Sequence, residues 1–288
     1  MKMKKILITG TSGRIGSALA SFLKNSYQVI GIDLNRGPFT THCLDIADKK
    51  GIFHLTKGVD AIVHLAALLP QHINVYSDED FWRTNVDGTE NLLDACLKYN
   101  IKRFVFTSTT SIYGNAMVLP HQAVWVTEDL LPQPRDIYDE TKLAAEALCK
   151  NASGASLSCI SLRMSRCFPE EDRLMAIYRL YRGVDIRDVV LGHVLALESS
   201  IKGYEFFNIT SQTPFQQNDL QELHGKADDV ISRYHPWAKK AFEVKGWILP
   251  FIIDRVYVAE KAKKILGYTA LYNFREIMDF SEAPKSQK

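Results

Sequence analysis

A doubly wound α/β fold, in which a parallel sheet carries helices on both faces, is predicted by three observations. The chain opens on a short branched-apolar run, then a glycine turn, then helix periodicity. Strand-like and helix-like stretches then alternate as far as Arg163. At 288 residues and 46% hydrophobic, there is enough apolar material for one large domain or one and a half.

Each element has its own justification. Lys4–Thr9 (KKILIT) is rich in branched apolar residues and is expected to be a buried strand. From Ile15 to Leu23 the residues Ile15, Leu19, Phe22 and Leu23 share a helical face. Tyr27–Asp33 (YQVIGID) is the second strand, and Thr41–Ile46 a short third. Asp60–Ala67 (DAIVHLAA) is another buried strand. Asp78–Tyr99 is a long helix, with Val86, Leu92, Leu93, Ala95, Cys96 and Tyr99 on its apolar faces. Arg103–Ser108 is a strand, Tyr138–Lys150 a helix and Ser156–Arg163 a strand. Between them Gly114–Asp136, with Pro120, Pro132 and Pro134, reads as a long loop before the helix that bears Tyr138, and long loops are often functional. Such βα alternation predicts a parallel sheet. Past Arg163 the rhythm changes to short mixed elements. The expected division is therefore a nucleotide-binding domain over residues 1–163 and a smaller lobe over 164–288, interleaved with the sheet.

Gly10, Gly13 and Gly16 sit where a dinucleotide fingerprint belongs, after a strand and before a helix. Glycine lets the backbone approach a pyrophosphate, and the helix start offers unpaired N–H groups and the positive dipole end. The spacing is G-x-x-G-x-x-G rather than G-x-G-x-x-G. This makes Gly10, Ser12, Gly13, Arg14, Ile15 and Gly16 the expected phosphate cradle of a Rossmann-type domain. Asp33 ends the second strand, where an acid hydrogen-bonds the adenosine ribose and repels a 2′-phosphate. Arg14 and Arg36 pull the other way, since a guanidinium holds a 2′-phosphate. NAD is favoured, with NADP possible.

Tyr138 and Lys142 lie one helical turn apart on a shared face. A tyrosine that acts as a base near neutral pH must fall roughly 3 units from its ordinary pKa of about 10. An ammonium and a positive nicotinamide ring are natural sources of that fall. The Thr109 hydroxyl can hold a substrate oxygen while Tyr138 takes its proton, and the hydride passes to the nicotinamide. Tyr257 and Lys261 repeat the same spacing. They stand at the start of a lysine-rich helix beyond the sheet and read as a decoy.

Other classes find little support. The formal net charge is +2, with no concentrated basic run, so neither nucleic acid nor an anionic membrane is implied. Lys2, Lys4 and Lys5 precede only a short apolar stretch, which is not a secretory signal. No apolar run approaches ~20 residues. Five scattered cysteines without a C-x-x-C fit reduced thiols in a cytoplasm. The eight histidines lack metal-ligand spacing, and no metal is expected.

Taken together, these segments resemble the extended short-chain dehydrogenase/reductase family, the NAD-dependent epimerase/dehydratase group. Thr9-Gly10-Thr11-Ser12-Gly13-Arg14-Ile15-Gly16 is similar to its T-G-x-x-G-x-x-G. Asp45-Ile46 sits where that family contacts adenine. His64-Leu65-Ala66-Ala67 resembles its H-x-A-A strand end, which places Leu65, Ala66 and Ala67 along the cofactor. Asn85 through Asn91 is similar to its N-x-x-G-T-x-N helix, where the asparagine supports the active site. Thr107 through Gly114 resembles its S-S/T-x-x-V-Y-G. The resemblance implies that Thr109, Tyr138 and Lys142 are catalytic, with Lys142 on the nicotinamide ribose and Thr107 beside the cofactor. It also implies a homodimer built from the Asp78–Tyr99 and Tyr138–Lys150 helices; packing of the same apolar residues against the sheet alone is the alternative.

Departures from the family pattern narrow the substrate. Sugar-nucleotide dehydratases carry Asp-Glu where this chain has Thr110-Ser111. Nucleotide-sugar epimerases carry an asparagine shortly after the strand that ends in Leu162-Arg163, and none follows here. The stretch from Arg163 to Val189 is short for holding a whole nucleotide sugar. Arg166-Cys167-Phe168-Pro169-Glu170 with Arg173 resembles the uronate dehydrogenases, which bind a carboxylate through an arginine. There the family has Ser-Asn-His in place of Thr109-Thr110-Ser111 and a serine in place of Arg166. Arg166 and Arg173 could instead be surface charges paired with Glu170, Glu171 or Asp172. The expected activity is NAD-dependent oxidation or reduction of a sugar or sugar acid. The alternatives are a nucleotide-sugar epimerase with tightly held NAD and a non-catalytic NAD(P) sensor.

Overall fold

The computed structural model describes residues 4–280. Along the chain the elements are β1 (Lys5–Thr9), α1 (Arg14–Leu23), β2 (Gln28–Asp33), β3 (His42–Cys43), α2 (Lys49–Thr56) and β4 (Ala61–His64). Next come α3 (Asp78–Phe81), a π-helical segment Trp82–Asp87, α4 (Gly88–Tyr99), β5 (Arg103–Thr109), β6 (Val124–Val126), α5 (Ile137–Ala152) and β7 (Ser158–Met164). Then follow α6 (Asp172–Arg179), α7 (Ile186–Glu198), β8 (Tyr204–Ile209), α8 (Leu220–Leu223), α9 (Ala227–Tyr234), α10 (Ala238–Val244), β9 (Arg255–Tyr257), α11 (Glu260–Leu266) and α12 (Phe274–Phe280).

Seven strands form one sheet in the order β3-β2-β1-β4-β5-β7-β8. β1 pairs in parallel with β2 on one side and β4 on the other, with Ile8 opposite Gly31 and Val63. Strand order therefore reverses beside β1. Doubly wound folds bind their ligands at the carboxyl ends of the strands beside such a switch point, here β1 and β4. The glycine turn follows β1 directly. Leu7, Ile62, Phe104, Phe106, Leu92 and Cys96 are among the residues of one buried cluster on this sheet.

The chain divides into two compact units. The first runs to Ile112 and adds Pro134–Arg163 and Val189–Phe207. The second holds Tyr113–Gln133, Met164–Asp188 and the chain from Asn208. A single cut at residue 163 misses two exchanges: Val189–Phe207 returns to the sheet through β8, and Tyr113–Gln133 leaves it with β6. Within the second unit β6 pairs in parallel with β9, and a separate core gathers Ile177, Leu180, Ile231, Phe242 and Phe274.

Several local expectations need correction. Phe22 is 62% exposed; the buried face of α1 is Gly16, Leu19, Ala20 and Leu23. The third strand is only His42–Cys43. The Gly114–Asp136 loop contains β6, a three-residue strand whose partner lies far along the chain. The long helix from Asp78 is interrupted by the π segment, where Thr89 Oγ1 donates to the Asn85 carbonyl at 2.6 Å. α5 starts at Ile137, capped by the Asp136 side chain, which accepts the Asp139 N–H.

Candidate active site

The cradle after β1 is shaped by what has no side chain. Gly10 has φ +73°, and a Cβ there would lie 2.9 Å from the Ala66 nitrogen. A Cβ on Gly16 would lie 2.1 Å from the Gly10 carbonyl oxygen. Gly13 caps α1 without a side-chain hydrogen bond, so the first-turn N–H groups are not spent on a cap. This is the geometry that a pyrophosphate needs, and the residues present fit a dinucleotide. Ser12 Oγ donates to the Asn35 carbonyl at 2.6 Å, and the Ser12 N–H donates to Asp33 Oδ2 at 3.0 Å. Asp33 Oδ1 accepts the Asn35 N–H at 2.9 Å. Each carboxylate oxygen retains acceptor capacity for a ribose hydroxyl. Arg14 and Arg36 are exposed. Asp45 accepts Arg83 Nη2 at 2.9 Å, and buried Ile46 lies against Gly88.

Beneath the cradle runs a hydrogen-bond chain that the sequence did not announce. Thr9 Oγ1 accepts the N–H groups of Leu65 and Ala66, each at 2.9 Å, which spends both lone pairs. Its own proton therefore goes to His64 Nδ1 at 2.7 Å. His64 Nε2 then carries the ring proton and donates to Thr89 Oγ1 at 3.0 Å. His64 is fully buried, and burial, with Lys142 nearby, pushes its pKa well down. Asn85 Oδ1 accepts the Leu68 N–H at 2.8 Å, and its Nδ2 donates to the Leu68 carbonyl and to Thr141 Oγ1. Asn85 thus ties the strand end after Ala67 to α5, one residue from Lys142.

Thr109, Tyr138 and Lys142 come together at the end of β5. The Tyr138 hydroxyl is hydrogen-bonded to the Thr109 side chain, and Thr109 Oγ1 accepts the Ser111 N–H at 3.0 Å. Lys142 Nζ donates to the Thr107 carbonyl at 2.7 Å and lies 4.0 Å from the Phe106 ring centre. Burial dominates the electrostatics of the cofactor-free site. Burial raises the Tyr138 phenol above its ordinary value, with Asp139 and Asp136 adding to the rise. Burial pulls Lys142 down to about 7. The chain by itself does not make Tyr138 acidic; a bound cation must contribute. Thr107 Oγ1 is 2.8 Å from His193 Nε2, a second buried histidine, lowered to about 4 by burial.

The remaining candidates belong to the second compact unit. Arg166 pairs with Glu170 and stands beside the Phe168 and Tyr178 rings, so its guanidinium is already engaged. Arg173 is half-buried in the first turn of α6 and makes no ion pair among the described residues. Tyr257 is on a strand, not a helix, and its hydroxyl points to Met117 Sδ at 3.3 Å. Lys261 lies in the first turn of α11 instead. Among the described residues no group of three His, Cys, Asp or Glu could hold a metal, and no helix is long and apolar enough to cross a membrane. The sequence reading also missed the hydrogen-bonded group in which Ser111 and exposed Arg135 hold buried Asp139. Its one signal was an acid immediately after Tyr138.

Known proteins place this geometry in context. The model of the NAD dependent epimerase/dehydratase family matches residues 6–176. The chain is 33% identical over 168 residues to a UDP-glucose 4-epimerase of Halalkalibacterium halodurans, covering 54% of this chain and 49% of that protein. It is 32% identical over 176 residues to a 2-alkyl-3-oxoalkanoate reductase of Stenotrophomonas maltophilia, covering 55% and 49%. An uncharacterized protein, y4nG of Sinorhizobium fredii, is 31% identical over 255 residues, covering 80% and 62%. In each case the match spans less than two thirds of the relative's length. Among solved structures, MoeE5 in complex with UDP-glucuronic acid and NAD gives a TM-score of 0.71 at 23% identity, covering 96% of each chain. A mutated uronate dehydrogenase gives 0.70 at 18% identity, covering 100% of this chain and 88% of that one. At such identities these two likenesses establish the fold.

Proposed function

The chain belongs to the NAD-dependent epimerase/dehydratase family, and from that membership we propose that it oxidises or reduces a hydroxyl-bearing carbon of a sugar or sugar acid with NAD. The family is NAD-dependent, and the relatives include dehydrogenases and epimerases. The observation that carries the reading is the Thr109–Tyr138 hydrogen bond beside buried Lys142. Thr109 orients the substrate oxygen, and Tyr138, as phenolate, takes the hydroxyl proton as the carbonyl forms. Lys142 supplies the positive charge that favours the phenolate and holds the ribose. NAD, when held by the glycine turn and Asp33, would supply the hydride acceptor for the same carbon. In reduction each transfer runs backwards, with Tyr138 as the acid.

Gly10, Gly13 and Gly16 cradle the pyrophosphate in this reading, Asp33 takes the adenosine ribose, and Asp45-Ile46 borders the adenine. A small substrate is favoured because a single eight-residue helix, α6, stands between β7 and α7. Of the two arginines, Arg173 is the better carboxylate anchor, since Glu170 occupies Arg166. A homodimer through α4 and α5 belongs to the same reading; Leu97 is exposed on α4, and Leu143 and Leu148 are half-buried on α5. Light scattering that gives a monomer at micromolar concentration rejects the dimer alone.

The test is NADH formation by purified protein with NAD and a panel of free uronic acids and aldoses. Steady NADH with one class, lost in Tyr138→Phe, is the expected result. No NADH with any of them rejects the free-sugar reading. The second reading, net epimerisation of a nucleotide sugar, is favoured by the epimerase relatives. It requires NAD that survives purification and no net NADH.

A further inference from the structure

Beside Tyr138 lies a buried carboxyl that the proposed chemistry leaves without a role. The Asp139 side chain is 0% exposed. Its Oδ1 accepts a short hydrogen bond from Ser111 Oγ, and its Oδ2 accepts the backbone N–H and Nε of Arg135, each at 3.3 Å. Arg135 Nη2 also reaches Ser111 Oγ at 3.3 Å, which directs the serine proton to Asp139. Its hydrogen-bonding side-chain partners, Ser111 and Arg135, are both donors, which suits the ionised carboxylate, while burial and the nearby Asp136 carboxylate push its pKa up.

Ser111 is held at one end by Asp139 and acts at the other on Thr109. Its N–H donates to Thr109 Oγ1 at 3.0 Å, and Thr109 is hydrogen-bonded to Tyr138. The peptide bond from Tyr138 to Asp139 closes a four-residue ring. A hydroxyl has two lone pairs and one proton. With one lone pair filled by Ser111 and Tyr138 alongside, Thr109 has a single direction left for a substrate oxygen.

We propose that Asp139 is a positioning residue, which holds Ser111 so that the Ser111 N–H fixes the direction of the Thr109 hydroxyl. The kinetic part of this rests on the oxidoreductase reading; the structural part does not. The charge has a further effect, since Asp139 and Asp136 both oppose the phenolate. The other groups around Tyr138 are apolar Leu68 and Phe81, neutral His64 on β4 near Lys142, Lys142 itself on α5, and Arg135 beyond Asp139.

The first test needs no substrate: amide hydrogen exchange at residue 111 in the NAD-bound protein. Asp139→Asn and Ser111→Ala are each expected to lose about tenfold protection there, and Ser111→Thr to keep it. Unchanged protection in a folded variant overturns the proposal. Ser111→Ala decides if Asp139→Asn does not fold. Tyr138 titration, followed by ring-labelled tyrosine NMR and assigned with Tyr138→Phe, should fall by about half a pH unit in Asp139→Asn and stay put in Ser111→Ala. With a turned-over substrate, both variants should lose about tenfold in kcat while KM for NAD holds. A wild-type protein without turnover rejects the oxidoreductase reading alone, and the exchange result still stands.

Discussion

Ser12 donates its backbone N–H to Asp33 Oδ2 at 3.0 Å, so the glycine turn after β1 and the acid that ends β2 move as one piece. In the proposed reading this bond links the phosphate cradle to the ribose acceptor.

Asp33→Asn is expected to weaken NAD binding about tenfold, or ~1.4 kcal/mol, and to narrow the preference over NADP. The ratio of kcat/KM for the two cofactors measures this. An unchanged ratio would assign cofactor choice to Arg14 or Arg36.

His64 and His193 are buried neutral, and this sets a pH dependence. Their folded pKa values lie below the unfolded value near 6.5, with His193 at about 4. The unfolded chain binds more protons below pH 6.5, so stability present above that value falls as pH drops toward 4. At about 1.4 kcal/mol per unit, His193 alone accounts for ~3 kcal/mol as an upper figure. Denaturant melts at pH 7, 6, 5 and 4 should show this slope, and His193→Gln should flatten it.

Lys142 carries a cost in the cofactor-free protein. Its pKa is lowered from 10.5 to about 7, so the unfolded chain binds more protons between those values. Stability from this group therefore rises with pH across that window and is lacking at pH 7. Lys142→Met is expected to stabilise the free protein by about 1–3 kcal/mol at pH 7 while abolishing turnover. A less stable variant would contradict this account of the site.

Arg163 and Glu146 form a buried pair, with Nη2 to Oε2 at 2.7 Å and Nε to Oε1 at 3.0 Å. The two side chains are 6% and 4% exposed. Glu146→Ala leaves a buried cation and should cost about 3–5 kcal/mol. Removing both charges with Arg163→Met and Glu146→Leu should recover most of that loss, as measured by urea melts.

What could be read in advance follows from how local each signal is. β1, the glycine turn and α1 are encoded within twenty residues, and the Tyr138–Lys142 spacing places both on one helix face by geometry alone. β6 could not be seen, because Val124–Val126 becomes a strand only by pairing with Arg255–Tyr257. Phe22 fitted the period but lies at the margin of the stripe, and periodicity does not say how wide the buried face is. The acid after Tyr138 was a weak signal, since a short acid in a helix's first turn is ordinary. Pairing of Arg166 with Glu170 stood among the alternatives the sequence offered, and the structure selects it. The pKa shifts of the cofactor-free chain could not be read in advance, because spacing reports neighbours and says nothing of burial.

The π segment at Trp82–Asp87 has a genetic consequence. An α-helix advances about 100° per residue, and a π turn takes up one residue beyond that pitch. Deleting one residue inside α4 would swing Leu92, Leu93, Ala95 and Cys96 around the helix axis and off the core. Deleting one between Trp82 and Asp87 would let the ladder close as plain α, and those four would keep their phase. The loss would fall on the reach of Asn85 toward Leu68 and Thr141. This segment is where the chain can shed a residue, keep its fold and forfeit its site.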